Sequence, residues 1–148
     1  MGITQILLFE DFLQAHETYI FQKDLHEKLN QCSVVASHSV NDFENKVRSF
    51  NYDIVILDIM AKPPANFYWH DVKEDGVEVP ETFVGIELLR RCCSGYYGDH
   101  YKEIPIYMRT ARGEDEIRNL CDAIGSTGYF APGSDDPALI EEIKKHVL

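Results

Sequence analysis

Apolar residues fall into two kinds of stretch along the chain. Five short runs, at 3–9, 33–37, 53–59, 104–109 and 127–131, concentrate aliphatic and β-branched side chains. The first and third are nearly continuous (Ile6-Leu7-Leu8-Phe9 and Ile54-Val55-Ile56-Leu57) rather than alternating. A run without alternation predicts a strand covered on both faces, as in a parallel sheet. The segments between the runs carry helical spacing. Residues 12–31 hold Phe21, Leu25 and Leu29, and residues 41–50 hold Phe43, Val47 and Phe50. Residues 83–93 hold Ile86, Leu89 and Cys93, and residues 114–124 hold Ile117, Leu120, Cys121 and Ile124. A last helix presents Leu139, Ile140, Ile143 and Val147 as its apolar stripe.

Helix ends support this division. Asn41 with Glu44 three residues on matches a capping box. Gly125 fits a helix stop. Asp136 before Pro137 predicts an N-cap followed by a proline at the first helical position. Lys144, Lys145 and His146 suit the negative end of that helix. Strand and helix therefore alternate five times, and right-handed crossovers place helices on both faces of a parallel sheet. The expectation is one α/β domain over residues 1–148, without internal repeat or low-complexity tract.

One stretch interrupts the alternation. Residues 61–82 contain three prolines, the only tryptophan (Trp69), and five acids against two lysines. Asp75-Gly76 between valine-containing flanks is a hairpin signal. A loop of this length in a small domain is usually functional or disordered, and Phe67-Tyr68-Trp69 argues against full disorder. A second cluster, Tyr96, Tyr97, His100 and Tyr101, reads as a polar-aromatic loop without a catalytic role.

Charge narrows the function. Fourteen basic against 25 acidic residues give a formal charge of −11 over 148 residues. Phosphate backbones and anionic membrane surfaces both call for a basic face, so nucleic-acid binding and membrane docking are not expected. No targeting signal or membrane-length apolar run is present, and a cytoplasmic location is expected. Cys32, Cys92, Cys93 and Cys121 form no CxxC pair and read as reduced thiols.

Candidate chemistry lies at the strand ends, because ligands of open α/β sheets bind beyond the carboxyl ends of the strands. The first run ends in Glu10-Asp11, the third at Asp58 and the fourth in Thr110-Ala111. If the first and third strands are neighbours, three carboxylates converge. Such a cluster needs a cation, and a hard all-oxygen donor set suits Mg²⁺. A carboxylate beside a bound metal can also accept a phosphoryl group.

These residues carry a resemblance. Glu10-Asp11 after Ile-Leu-Leu-Phe, Asp58 within Asp-Ile-Val-Ile-Leu-Asp-Ile-Met, Thr110-Ala111 after Ile-Pro-Ile-Tyr-Met-Arg, Gly128-Tyr129 before Pro132, and Gly85-Ile86-Glu87-Leu88-Leu89 follow one another in the order and spacing of a known pattern. The sequence resembles the receiver domain of two-component response regulators over 3–60 and 83–147, with 61–82 as an insertion between strand 3 and helix 3. The resemblance implies a flavodoxin-like five-stranded parallel sheet of order 2-1-3-4-5. It implies Asp58 as phosphoacceptor, with a sensor histidine kinase or phosphotransfer protein as donor. Mg²⁺ would be held by Glu10, Asp11, Asp58 and the backbone carbonyl of Met60. Thr110, Ala111 and Tyr129 would contact the phosphoryl group or switch with it. The domain would signal rather than act as an enzyme on a separate substrate, though it would catalyse its own phosphotransfer and dephosphorylation.

One position departs from the pattern. The strand-five lysine of the family is replaced by Ala131, which cannot offer a phosphoryl oxygen a charge-assisted hydrogen bond of about 1.5–3 kcal/mol. Arg112 and Lys62 are the candidate compensating cations. Arg109 is expected on the opposite side of its strand and is set aside. Two readings follow. One is a stand-alone receiver that accepts phosphate on Asp58 and signals by binding another protein. The other is a pseudo-receiver, a protein-interaction module independent of phosphorylation. A phosphatase using Asp58 as nucleophile would want a second acid two residues on, where Met60 stands.

Overall fold

The computed structural model describes residues 2–10, 15–69 and 80–147, with residues 15–18 described through the backbone alone. Five strands and five helices alternate: β1 (Thr4–Phe9), α1 (Ala15–Lys28), β2 (Cys32–Ser37), α2 (Val40–Ser49), β3 (Ile54–Leu57), α3 (Val84–Cys93), β4 (Ile106–Arg109), α4 (Asp115–Ile124), β5 (Gly128–Phe130) and α5 (Asp136–Lys144). All strands pair in parallel, in the order β2-β1-β3-β4-β5. The parallel pairing is what the continuous apolar runs predict, and the strand order is the flavodoxin-like one that the resemblance implies.

The pleat of each strand feeds two separate apolar layers. Leu7, Phe9, Val55, Leu57, Ile106 and Met108 face one layer with residues of α2, α3 and α4. Ile6, Leu8, Ile54, Ile56 and Tyr107 face the other with Phe21, Leu25, Leu139, Ile140 and Ile143 of α1 and α5. Both layers exclude water from the central strands, which is why β3 and the buried part of β1, Ile6 to Phe9, carry apolar side chains at every position.

Several local expectations are corrected. The cap of α2 is Ser39, whose hydroxyl accepts from the Asp42 N–H at 3.1 Å, so the Asn41–Glu44 box does not form. Glu44 instead accepts from Arg91 Nη1 and the Tyr97 hydroxyl, each at 2.7 Å. Asp136 is the first residue of α5 rather than its cap, and Asp135 takes the N-cap position. The Asp135 carboxylate accepts from the Ala131 N–H at 2.8 Å. The polar-aromatic loop before β4 sends Tyr97 and Tyr101 into the core while Tyr96 stays exposed. Tyr101 is fully buried, donates to the Phe50 carbonyl at 2.5 Å and accepts from the Tyr52 N–H at 3.2 Å.

The insertion is anchored where it leaves and returns. Ala61 pairs with Phe83 as an isolated parallel bridge, and its N–H donates to the Thr82 carbonyl at 2.9 Å. Phe67 and Trp69 pack edge to face at 5.1 Å and lie against the α2–α4 layer. Arg91, almost fully buried, ties the segment down. Its Nη2 donates to the Tyr68 carbonyl at 2.7 Å, its Nε to Glu87 at 2.9 Å, and its guanidinium lies 4.5 Å from the Phe67 ring. The Asp75-Gly76 hairpin signal lies outside the described residues.

Candidate functional site

Strand register builds the site. β1 and β3 pair Phe9 with Leu57, and β3 and β4 pair Leu57 with Met108. Continued one residue further, these registers set Glu10, Asp58 and Arg109 in a row across three adjacent strand ends. The ladder itself is extended by Asp58, whose N–H donates to the Phe9 carbonyl at 3.0 Å. Alternation gives all three the same sense as Leu8, Ile56 and Tyr107, toward α1 and α5. Thr110 follows on β4 with the opposite sense. Glu10, Asp58, Arg109 and Thr110 are each no more than 3% exposed.

Burial dominates the chemistry of Asp58. Removal from water disfavours its charged form and pushes the carboxyl up from 3.8 to about 6. Hydrogen bonds from the Ile59 N–H, the Thr110 hydroxyl and the Met60 N–H pull it back, as does the positive charge of Arg109. These donors do not satisfy the whole carboxylate, since Oδ2 is buried without a hydrogen-bond partner among the described residues. A buried carboxylate oxygen that no donor reaches is a vacancy in the site's electrostatics that a cation fits.

Close backbone approach fixes the loop that follows Asp58. The Gly85 N–H donates to the Ile59 carbonyl at 2.8 Å. A Cβ at Gly85 would lie 1.9 Å from the Asp58 carbonyl oxygen and 2.7 Å from Ile59 Cα. Only glycine lets α3 start this close to the end of β3.

The remaining expected residues are placed as follows. Asp11 lies outside the described residues, and among those described no three His, Cys, Asp or Glu side chains form a metal cluster. Met60 is exposed, two residues after Asp58. The Thr110 hydroxyl also accepts from the Arg112 N–H at 3.2 Å, which orders the start of the β4–α4 loop. Ala111 is exposed. The half-buried Tyr129 donates its phenol to the Arg112 carbonyl, so β5 is latched to the same loop. Ala131 is half-buried and its N–H is engaged by Asp135. The Arg112 guanidinium pairs with Glu114 and lies 5.1 Å from the Phe83 ring, and Lys62 is exposed.

Arg109 takes its expected placement, opposite Thr110 on its strand, but setting it aside is overturned. Alternation does send it toward α1 and α5, but Glu10 and Asp58 leave their own strands in that same sense. Its Nε and Nη2 fork onto the two Asp136 oxygens at 2.9 and 3.1 Å, and its Nη1 donates to Glu10 Oε2 at 3.3 Å. Its guanidinium carbon lies 4.3 Å from the Phe21 ring. The signal that finds it is register added to alternation, and register is not available from β4 alone.

No protein-family model matches the sequence, and no curated protein matches it. Comparison of folds is informative. The chain is similar to the signal receiver domain of a DNA-binding response regulator from Colwellia psychrerythraea, at 18% identity and a TM-score of 0.68 over 96% of each chain. It is similar to a chemotaxis protein of the CheY type from Vibrio cholerae, at 17% identity and a TM-score of 0.66 over 99% of this chain and 100% of that one. A third similar structure is the receiver domain of a sensor histidine kinase from Pseudomonas aeruginosa, at 16% identity and a TM-score of 0.66 over 97% of each chain. That structure holds a magnesium ion in its active-site cleft. The chain thus has the receiver-domain fold over nearly its whole length.

Proposed function

We propose that this protein is a response-regulator receiver that accepts a phosphoryl group on Asp58. The observation that carries the reading is the state of that carboxylate. It is buried at the end of a central strand, a hydroxyl from the neighbouring strand is bonded to it, and one oxygen has no donor among the described residues. With a carboxyl at about 6, most of the acceptor is ionised at pH 7 and nucleophilic.

Glu10, Asp11, Asp58 and the Met60 carbonyl are the donors that would hold Mg²⁺, an all-oxygen set of the kind this ion prefers. Bound there, the ion would supply charge neutralisation for an incoming phosphoryl group. The chain's own residues do the rest. An Asp58 carboxylate oxygen forms the new P–O bond while the P–N bond of a phosphohistidine donor breaks, and the leaving imidazole takes its proton from water. The donor is a sensor histidine kinase or a phosphotransfer protein, and such a relay runs in the cytoplasm. Thr110 turns its hydroxyl from the carboxylate to a phosphoryl oxygen, which releases its hold on the Arg112 N–H. Tyr129, latched to the carbonyl of Arg112, transmits that change to the surface of β5. Output is binding to another protein.

Incubation with acetyl phosphate and Mg²⁺, followed by intact-mass measurement, tests this. One phosphoryl adduct is expected on the wild type and none on Asp58→Asn or in EDTA. Absence of the adduct on the wild type would favour the phosphorylation-independent interaction module, to which the uncharged side chain of Ala131 also points.

A further inference from the structure

A buried guanidinium rarely sits among carboxylates without consequence for what else can bind there. Arg109 spans two groups of different kinds. Asp136, on α5, takes both prongs of the fork at 2.9 and 3.1 Å, a bidentate geometry that fixes the plane of the side chain. Glu10, at the end of β1, takes the third nitrogen at the longer distance of 3.3 Å. Glu10 and Arg109 are 2% and 3% exposed, so solvent screens their interaction weakly. The row set by strand register also puts Arg109 next to Asp58, and its charge acts on that carboxyl in the direction of ionisation.

We propose that Arg109 is the resident cation of the acidic site, a positioning residue that holds Glu10 by Nη1 while Asp136 holds its own guanidinium in place. The inference rests on the reading of Asp58 as a cation-assisted phosphoryl acceptor. Neither Arg112, paired with Glu114, nor the exposed Lys62 makes such a contact among the described residues. Arg109 thereby sets a balance between two ligands of opposite charge. Its positive charge opposes a divalent ion at the carboxylates and favours an anionic phosphoryl group at the same place. A residue that only holds the site together would, when removed, lower both affinities in parallel.

The test uses the full chain and two probes, Mn²⁺ alone followed by paramagnetic relaxation, and beryllofluoride at saturating Mg²⁺ followed by ¹⁹F NMR. Arg109→Gln is expected to bind Mn²⁺ roughly 30-fold more tightly and beryllofluoride roughly fivefold more weakly, because one unit charge removed at about 8 Å in an effective dielectric of about 40 acts twice as strongly on a divalent ion as on a monoanion. Arg109→Lys keeps the charge and is expected to leave the Mn²⁺ affinity within about twofold. If the buried position makes Arg109→Gln unfold, Asp136→Asn decides. It releases guanidinium charge toward Glu10, so Mn²⁺ binding should weaken and beryllofluoride binding strengthen. Equal affinities in wild type and variants, or a parallel loss of both, would overturn the role of Arg109 and leave the acceptor reading intact. A wild type that binds neither probe, with Mn²⁺ binding gained in Arg109→Gln, would support the resident cation and overturn the acceptor reading. No Mn²⁺ binding in any of these proteins would overturn both.

Discussion

Replacing Asp58 by Asn probes how much stability its buried carboxyl withholds from the fold. The carboxyl is pushed from 3.8 to about 6, which corresponds to about 3 kcal/mol against its charged form. Between these values the folded state binds more protons than the unfolded chain, so stability falls as pH rises through the window. The cost is absent below 3.8 and complete above about 6. The amide carries no charge and escapes it. Its NH₂ would stand where a carboxylate oxygen lacked a donor, and an unsatisfied N–H costs about 1 kcal/mol. In EDTA, the variant should therefore be about 2 kcal/mol more stable than wild type at pH 7.5, or about 4–8 °C in Tm for a domain of this size. Near pH 3.5 the same variant should be about 1 kcal/mol less stable, giving a swing of about 3 kcal/mol across the titration. Urea unfolding of both proteins at matched pH values measures the difference, and other titrating groups cancel. Mg²⁺ should narrow the gap at pH 7.5, because ligand binding to the folded wild type alone adds about 2.7 kcal/mol at a hundredfold excess over Kd. A difference that stays flat with pH, or a variant less stable than wild type at pH 7.5, would refute the view that the carboxylate is uncompensated.

Other substitutions read neighbouring features. Gly85→Ala places a methyl group within 1.9 Å of the Asp58 carbonyl, and a loss of about 1–3 kcal/mol in urea unfolding is expected from overpacking. Arg91→Ala strands the buried Glu87 and breaks the tie to Tyr68. The expected loss is about 3–5 kcal/mol, with a red shift of Trp69 emission as its packing loosens. Thr110→Val removes a hydroxyl that stabilises the ionised acceptor, so the Asp58 carboxyl midpoint, followed by ¹³C NMR, should move above its wild-type value. Tyr129→Phe loses the bond to the Arg112 carbonyl and should lower stability by about 1 kcal/mol in thermal unfolding.

Much of the architecture was legible in the residues because burial on both faces leaves a direct mark on composition. Ile6 to Phe9 and Ile54 to Leu57 have no polar position, and a sheet covered by helices on each side requires that. The acids at the ends of those strands stood out because a strand that stops in Glu10 or Asp58 changes character within one residue. What stayed hidden depends on partners distant in sequence. Ser39 and Asn41 are both competent caps, and the choice follows from burying Val40 in the α2–α4 layer. The bonds of Glu44 to Arg91 and Tyr97 span 47 and 53 residues, beyond any local pattern. Tyr101 read only as part of a polar-aromatic loop, because the backbone partners of its hydroxyl lie in the segment before β3, about fifty residues away. Arg109 was misjudged for a subtler reason. Which side of a strand counts as the site side is decided by the neighbouring strands, through register.

The bridge between Ala61 and Phe83 brings the two feet of the excursion together at the edge of the core. The path outside that bridge is a closed side branch, so its length is uncoupled from the spacing of Asp58 and Gly85. Closure entropy changes by only about 0.6 kcal/mol for each doubling of such a branch. Related chains are then free to carry branches of widely different size at this point, and an engineer could shorten or graft one there while the acceptor strand keeps its shape.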